Sequence, residues 1–131
     1  MMGEYFPEPT PELLEIILKH VVSEIKMEDL SLLQMGIRQW ADDTFLSVNP
    51  VAQVHKLKEE VDELMAAEPG TPEFASELAD CFIMLLDISL RVGMGVRRLA
   101  WEAMDKHHKN KAATWGVKRT EGDVTIYGRQ P

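Results

Sequence analysis

The sequence has a single cysteine, Cys81, so no disulfide can form within the chain. That excludes a cystine-stapled secreted scaffold and fits a reducing cytoplasm. Cys81 sits inside an apolar run and reads as a small core residue. The longest apolar run, Cys81 to Leu90, is interrupted by Asp87 and is too short to span a bilayer. The first residues carry Glu4, Pro7 and Pro9 where a signal peptide would need an apolar stretch. Neither a membrane nor a leader is expected. Positive charge is also scarce: 14 Lys and Arg stand against 22 Asp and Glu, a net charge of -8. That argues against a nucleic-acid polymer as partner, because such binding runs on excess cations. Internal repeats and low-complexity tracts are missing, and 131 residues suit one domain, 1–131.

The charge that is present is unevenly placed. Arg97 to Arg119 holds seven basic residues against two acidic ones, leaving the rest of the chain at -13. An acidic region facing a basic one suits a small anion held through cations; two solvated helix faces would look the same in sequence.

Helix starts are written plainly. Thr10-Pro11, Asn49-Pro50 and Thr71-Pro72 each pair an N-cap with proline at the first helical position. Apolar spacing predicts helices over 11–26, 29–45, 50–67, 72–92 and 96–113. In the first, Leu13, Ile16, Ile17, His20, Val21 and Ile25 would share an inward face. In the second, Leu32, Leu33, Gly36, Ile37 and Trp40 would face inward. The fourth is apolar nearly all round from Cys81 to Leu90, as expected of a helix covered from several sides or by another subunit. The core would cover 10–117. Residues 118–131 read as an extended tail, with Asp123 to Tyr127 a candidate short strand. The fold class is all-α, a bundle of four to five helices.

The chemistry lies in two acidic turns. Glu60 and Glu63 stand three apart on the third helix, and Glu77 and Asp80 three apart on the fourth. Three residues turn a helix by about 300°, so each pair leaves from one face. If the two helices are antiparallel neighbours, the four carboxylates can converge. They would then repel one another unless a cation intervened. All-oxygen ligands suit Mg²⁺ or Mn²⁺ rather than zinc. Glu59 flanks the same face. Asp87, deep in the apolar helix, needs a partner: a metal, or an Arg or Lys from the fifth helix. A di-iron carboxylate bundle would need Glu-x-x-His, which the chain does not contain.

Glu60-x-x-Glu63, thirteen residues, then Glu77-x-x-Asp80 resembles the ExxE…ExxD signature of the MazG-like and dimeric dUTPase superfamily. Lys106-His-His-Lys-Asn110-Lys111 followed by Trp115-Gly116 resembles that superfamily's lysine–asparagine motif, although its Arg before the Trp is missing here. Gly36 to Trp40 and on to Phe45 resembles the branch of dATP/dGTP diphosphohydrolases, many of them phage-encoded. The resemblance spans about residues 30 to 117. It implies a MazG-like bundle and an enzyme that cuts a nucleoside triphosphate into monophosphate and pyrophosphate with Mg²⁺, for which Mn²⁺ would substitute. It further implies Glu60, Glu63, Glu77 and Asp80 as metal ligands, with Glu59, Glu60 and Glu63 as the catalytic set. Lys106, Asn110 and Lys111 would hold phosphates. Trp40 would stack on the base, with Gln39 and His55 as further base contacts. The expected partner is a deoxypurine triphosphate, dGTP or dATP, and the expected assembly a homodimer or homotetramer. Two other readings stay open: a house-cleaning or pyrimidine (dCTP/dUTP) pyrophosphatase of the same superfamily, and a non-catalytic helical oligomerisation module.

Overall fold

The structure is a computed structural model, and it describes residues 10–131. Five helices come in order: α1 (Pro11–Ser23), α2 (Met27–Thr44), α3 (Pro50–Ala66), α4 (Pro72–Arg91) and α5 (Val96–Ala112). Their limits agree with the sequence expectation to within three residues. The caps explain why. Thr10 Oγ1 accepts from the Leu13 N–H, Asn49 Oδ1 from Ala52 and Thr71 Oγ1 from Phe74. α2 starts two residues earlier than expected, because Asp29 works from inside the first turn. Its Oδ2 accepts the Lys26 backbone N–H at 2.8 Å.

α3 and α4 form the tightest pair, joined by the turn Glu68-Pro69-Gly70. Gly70 has φ +85°, a conformation glycine adopts without steric cost. α2 lies against α4, and α5 against both. The core is small: Ala41, Ala67, Cys81, Leu86 and Val96 are the buried apolar residues among those described.

A buried amide ties the layers together. Gln34, 2% exposed, donates from Nε2 to the Leu86 carbonyl at 2.9 Å and to the Met94 carbonyl at 3.2 Å. It thereby fixes α2 to α4 and to the joint ahead of α5. Ser89 Oγ donates to the same Met94 oxygen at 2.8 Å.

Three expectations need correction. The inward face of α2 is rotated: Gln34 and Ala41 are buried, while Leu32, Leu33 and Trp40 are exposed. The stripe with Leu33, Gly36, Ile37 and Trp40 lines an open cavity rather than a closed core, and periodicity alone does not distinguish the two. In α1 every side chain from Pro11 to His20 is exposed, including Leu13, Ile16 and Ile17, and Ile25 beyond it is exposed as well. The side chain of Val21 lies outside the described residues. Last, the end of the chain is no extended tail. β1 (Trp115–Glu121) and β2 (Val124–Arg129) pair antiparallel around Gly122-Asp123, with Gly122 at φ +59°. Gly-Asp between runs rich in Val, Thr, Ile and Tyr is a two-residue hairpin signal, and it wins over the local polarity.

Replacing Gln34 by Leu keeps the volume and removes both hydrogen bonds. Urea unfolding should show a loss of about 1–3 kcal/mol. An unchanged midpoint would mean that the amide does not hold the layers.

Candidate active site

The α3–α4 pair brings the two acidic turns face to face. Glu60, Glu63, Glu77 and Asp80 each offer a carboxylate oxygen, and these four oxygens lie within 4.8 Å of one another. The turn explains the match. Glu60 and Asp80 stand ten residues either side of Gly70, and Glu63 and Glu77 seven. In an antiparallel helix pair, equal distances from the turn bring residues level.

The electrostatics are those of an incomplete site. Glu60 is 8% exposed, and its Oε2 is buried without a hydrogen-bond partner, as is Glu77 Oε2. Burial pushes the Glu60 carboxyl above its ordinary range. Lys56 opposes that shift, and the neighbouring Glu63 adds to it. Lys56 Nζ lies 3.3 Å from Glu60 and 3.4 Å from Glu59, and both contacts raise the lysine's own pKa. One ammonium does not balance four carboxylates. Hard oxygen donors at this spacing, two of them buried and unpartnered, fit one or more divalent cations such as Mg²⁺ or Mn²⁺. Cys81 is buried behind the cluster. Burial and then the nearby carboxylates push its thiol pKa up.

The cluster opens onto a cavity of about 890 Å³. Glu60, Asp80 and Lys56 line it, together with Gln53 and Asp87. Its apolar wall includes Leu33, Ile37, Trp40, Phe45, Ile83 and Met84. Trp40 and Phe45 meet edge to face, with centroids 5.5 Å apart, on the solvent side. The cavity thus joins an acidic patch to an apolar wall.

Trp40 is the expected base contact that does line this cavity. Gln39 does not: its Nε2 donates to Asp43 at 3.0 Å on the exposed face. His55 is exposed and absent from the lining, because it lies on the far side of α3 from Gln53 and Lys56. Glu59 stays outside the carboxylate cluster, 68% exposed and turned to Lys56. Lys106 and Lys111 are exposed on α5, and neither they nor Asn110 line the cavity. Asn110 is held by the hairpin. Trp115 Nε1 donates to its carbonyl at 2.7 Å, and Arg129 Nη2 to its Oδ1 at 3.3 Å. Asp87 finds its partners on α3 and on its own helix rather than on α5: Gln53 and Arg91 both donate to its Oδ2. Gln53 and Lys56 were missed in the sequence. The signal was there, since 53, 56, 60 and 63 form one helical stripe.

The fold is similar to that of a MazG-like pyrophosphohydrolase. The chain is similar in structure to the cyanophage S-2L MazG-like pyrophosphohydrolase, solved with dGDP and three catalytic Mn²⁺ ions per active site. That likeness has a TM-score of 0.60 at 24% identity, over 83% of this chain and 97% of the other. A search of curated proteins finds no match. The sequence model of the dATP/dGTP pyrophosphohydrolase family matches residues 33–128, and the chain belongs to that family. It is a nucleotide pyrophosphohydrolase, a hydrolase of phosphoanhydride bonds.

A cation that binds only the folded form must stabilise it. Mg²⁺ or Mn²⁺ at 100 times its dissociation constant should contribute about 2.7 kcal/mol, a rise in Tm of about 10 °C over chelator. Glu60→Gln should abolish that rise without lowering the metal-free Tm, since it removes charge from a crowded cluster. A melting point indifferent to both cations would sink the metal site.

Proposed function

We propose that this chain hydrolyses deoxypurine triphosphates, dGTP or dATP, to the monophosphate and pyrophosphate in a Mg²⁺-dependent reaction, with Mn²⁺ able to substitute. The convergence of Glu60, Glu63, Glu77 and Asp80 at one end of an apolar-walled cavity carries this reading. Membership of a family named for dATP and dGTP supports the purine assignment. The dGDP and Mn²⁺ of the cyanophage relative support the nucleotide and the cation.

The four carboxylates would hold the cations. Once bound, these would polarise the α-phosphoryl group and lower the pKa of an attacking water. The remaining work falls to the chain. Trp40, Leu33, Ile37 and Met84 provide apolar surface for the base. Lys56 is tethered between Glu59 and Glu60 and adds positive charge beside the phosphates. Glu59 stands outside the ligand set, at the solvent edge, where it can orient the water or take its proton. Lys106, Asn110 and Lys111 would neutralise the departing pyrophosphate from α5. They are outside the cavity of this single chain, so this role calls for a nucleotide reaching past the cavity or for α5 of a second copy.

A homodimer or homotetramer fits the surface. The described side chains of α1 are exposed, and Leu78, Phe82 and Leu85 form an exposed stripe on α4. So much apolar surface is unusual for a monomer. Light scattering at micromolar concentration should give at least twice the 14.9 kDa chain mass. A monomer mass would refute the oligomer.

The activity test is a panel of ribo- and deoxynucleoside triphosphates with Mg²⁺, Mn²⁺ or chelator, products being separated by chromatography. Deoxypurine triphosphates should yield monophosphate and pyrophosphate. Glu63→Gln should lower kcat/KM on the order of 100-fold. Turnover of dCTP or dUTP but neither purine would move the substrate to pyrimidines. No turnover of any nucleotide would leave a non-catalytic helical module.

A further inference from the structure

Away from the carboxylate cluster, the polar groups beside the cavity form a chain with one open end. Arg91 Nη1 donates to Asp42 Oδ1 at 2.8 Å, and Arg91 Nε to Asp87 Oδ2 at 2.9 Å. The same Asp87 oxygen accepts from Gln53 Nε2, across the seam between α4 and α3. Asp87 is 0% exposed and the Arg91 side chain 5%. The atoms this pair leaves without partners, Asp87 Oδ1 and Arg91 Nη2, are closed to solvent. Gln53 is different. It is half-buried and lines the cavity. Its Oε1 has no hydrogen-bond partner in the protein, and it is not among the closed atoms.

The chain decides which end of the Gln53 amide is presented. A carboxylate paired with an arginine has no proton to give, so the amide must turn its NH₂ toward Asp87. The carbonyl oxygen is then the end left for a ligand. Turning the amide over would set Oε1 against Asp87 Oδ2, and Arg91, itself held by Asp42, keeps that oxygen in place. Gln53 lies seven residues before Glu60 on α3, which at 1.5 Å per residue is about 10 Å along the axis. That span suits a nucleotide stretched from its α-phosphate, at the carboxylate cluster, to the far edge of its base. Ile83 and Met84 on α4 and Leu33, Ile37 and Trp40 on α2 line the same cavity and can receive the base faces.

We propose that Gln53 is a specificity-determining residue whose Oε1 accepts a hydrogen bond from an N–H on the Watson–Crick edge of the purine. Asp87 and Arg91 are positioning residues that keep this acceptor presented. Adenine offers N6–H and guanine N1–H, at neighbouring positions, so one carbonyl can serve both bases. A base that fills the cavity strips water from Oε1 and must return a donor. One without a donor leaves a desolvated acceptor unpaired, and a site built to hydrogen-bond rejects such an analogue. This role for Gln53 rests on the purine-hydrolase reading above.

The test measures kcat/KM for dGTP, dATP and the deoxynucleoside triphosphate of unsubstituted purine, which carries neither the N6 amine nor N1–H. For the wild type, the better of dGTP and dATP should exceed the unsubstituted purine by at least about tenfold. In Gln53→Met, which keeps a similar length and removes the acceptor, that ratio should fall to within about twofold. In Asp87→Asn the ratio should fall as well, because asparagine can donate as well as accept and no longer dictates which way Gln53 turns. Equal turnover of the three by the wild type would overturn the proposal without any variant, and so even if Asp87→Asn fails to fold. A folded Gln53→Met that loses activity equally on all three would overturn it too, and would make Gln53 a strut between α3 and α4. Turnover of pyrimidine nucleotides alone, or of no nucleotide, would overturn it together with the purine-hydrolase reading on which it rests.

Discussion

Everything chemical in this molecule depends on one turn and the register it imposes. Gly70 lets α3 reverse into α4 within a few residues, at a backbone angle that a side chain would strain. From there the pairs fall level in order. Glu63 meets Glu77, Glu60 meets Asp80, and further out Gln53 meets Asp87. The hydrogen bond between the last two shows that the register holds for the length of the pair. A residue added to or removed from the turn would rotate one acidic stripe away from the other by about 100°. The metal end and the deep end of the cavity would be lost together.

That register places unfavourable charge in a thin core. Four carboxylates within 4.8 Å, with Glu60 buried, cost stability that one lysine does not return. Few apolar side chains are buried deeply enough to offset it. Cations at the cluster would reverse the sign of its contribution, and a second subunit over α1 and α4 would supply the missing apolar burial. On this view cations at the cluster or a second subunit would each stabilise the isolated chain.

The legible part of the structure was local. Thr10-Pro11, Asn49-Pro50 and Thr71-Pro72 set the helix starts because capping and φ restriction act within a few residues. The acidic pairs were legible because three-residue spacing fixes a common face whatever surrounds it. What the sequence withheld was environment. Leu33 and Trp40 have the spacing of core residues, and an open cavity wall needs the same spacing. Asp87 announced that it required a partner, but Gln53 could be identified only once the helices were paired. His55 and Gln39 looked close to the site along the chain, yet a helix turns them away from it within one or two residues. The hairpin was half legible: Asp123 to Tyr127 reads as a strand and β2 covers Val124–Arg129, whereas its partner β1 is polar and carries no strand signal of its own.

The carboxylate cluster and the apolar wall of the cavity share a scaffold, and that has a mechanical consequence. Glu60 and Asp80 line the cavity beside Ile83 and Met84 on α4 and Leu33, Ile37 and Trp40 on α2. A base seated correctly against that wall would fix the position of the α-phosphate relative to the carboxylates. One seated wrongly would displace it by the same amount, and small displacements at a reacting centre are expensive. Discrimination would therefore fall on kcat as well as on KM.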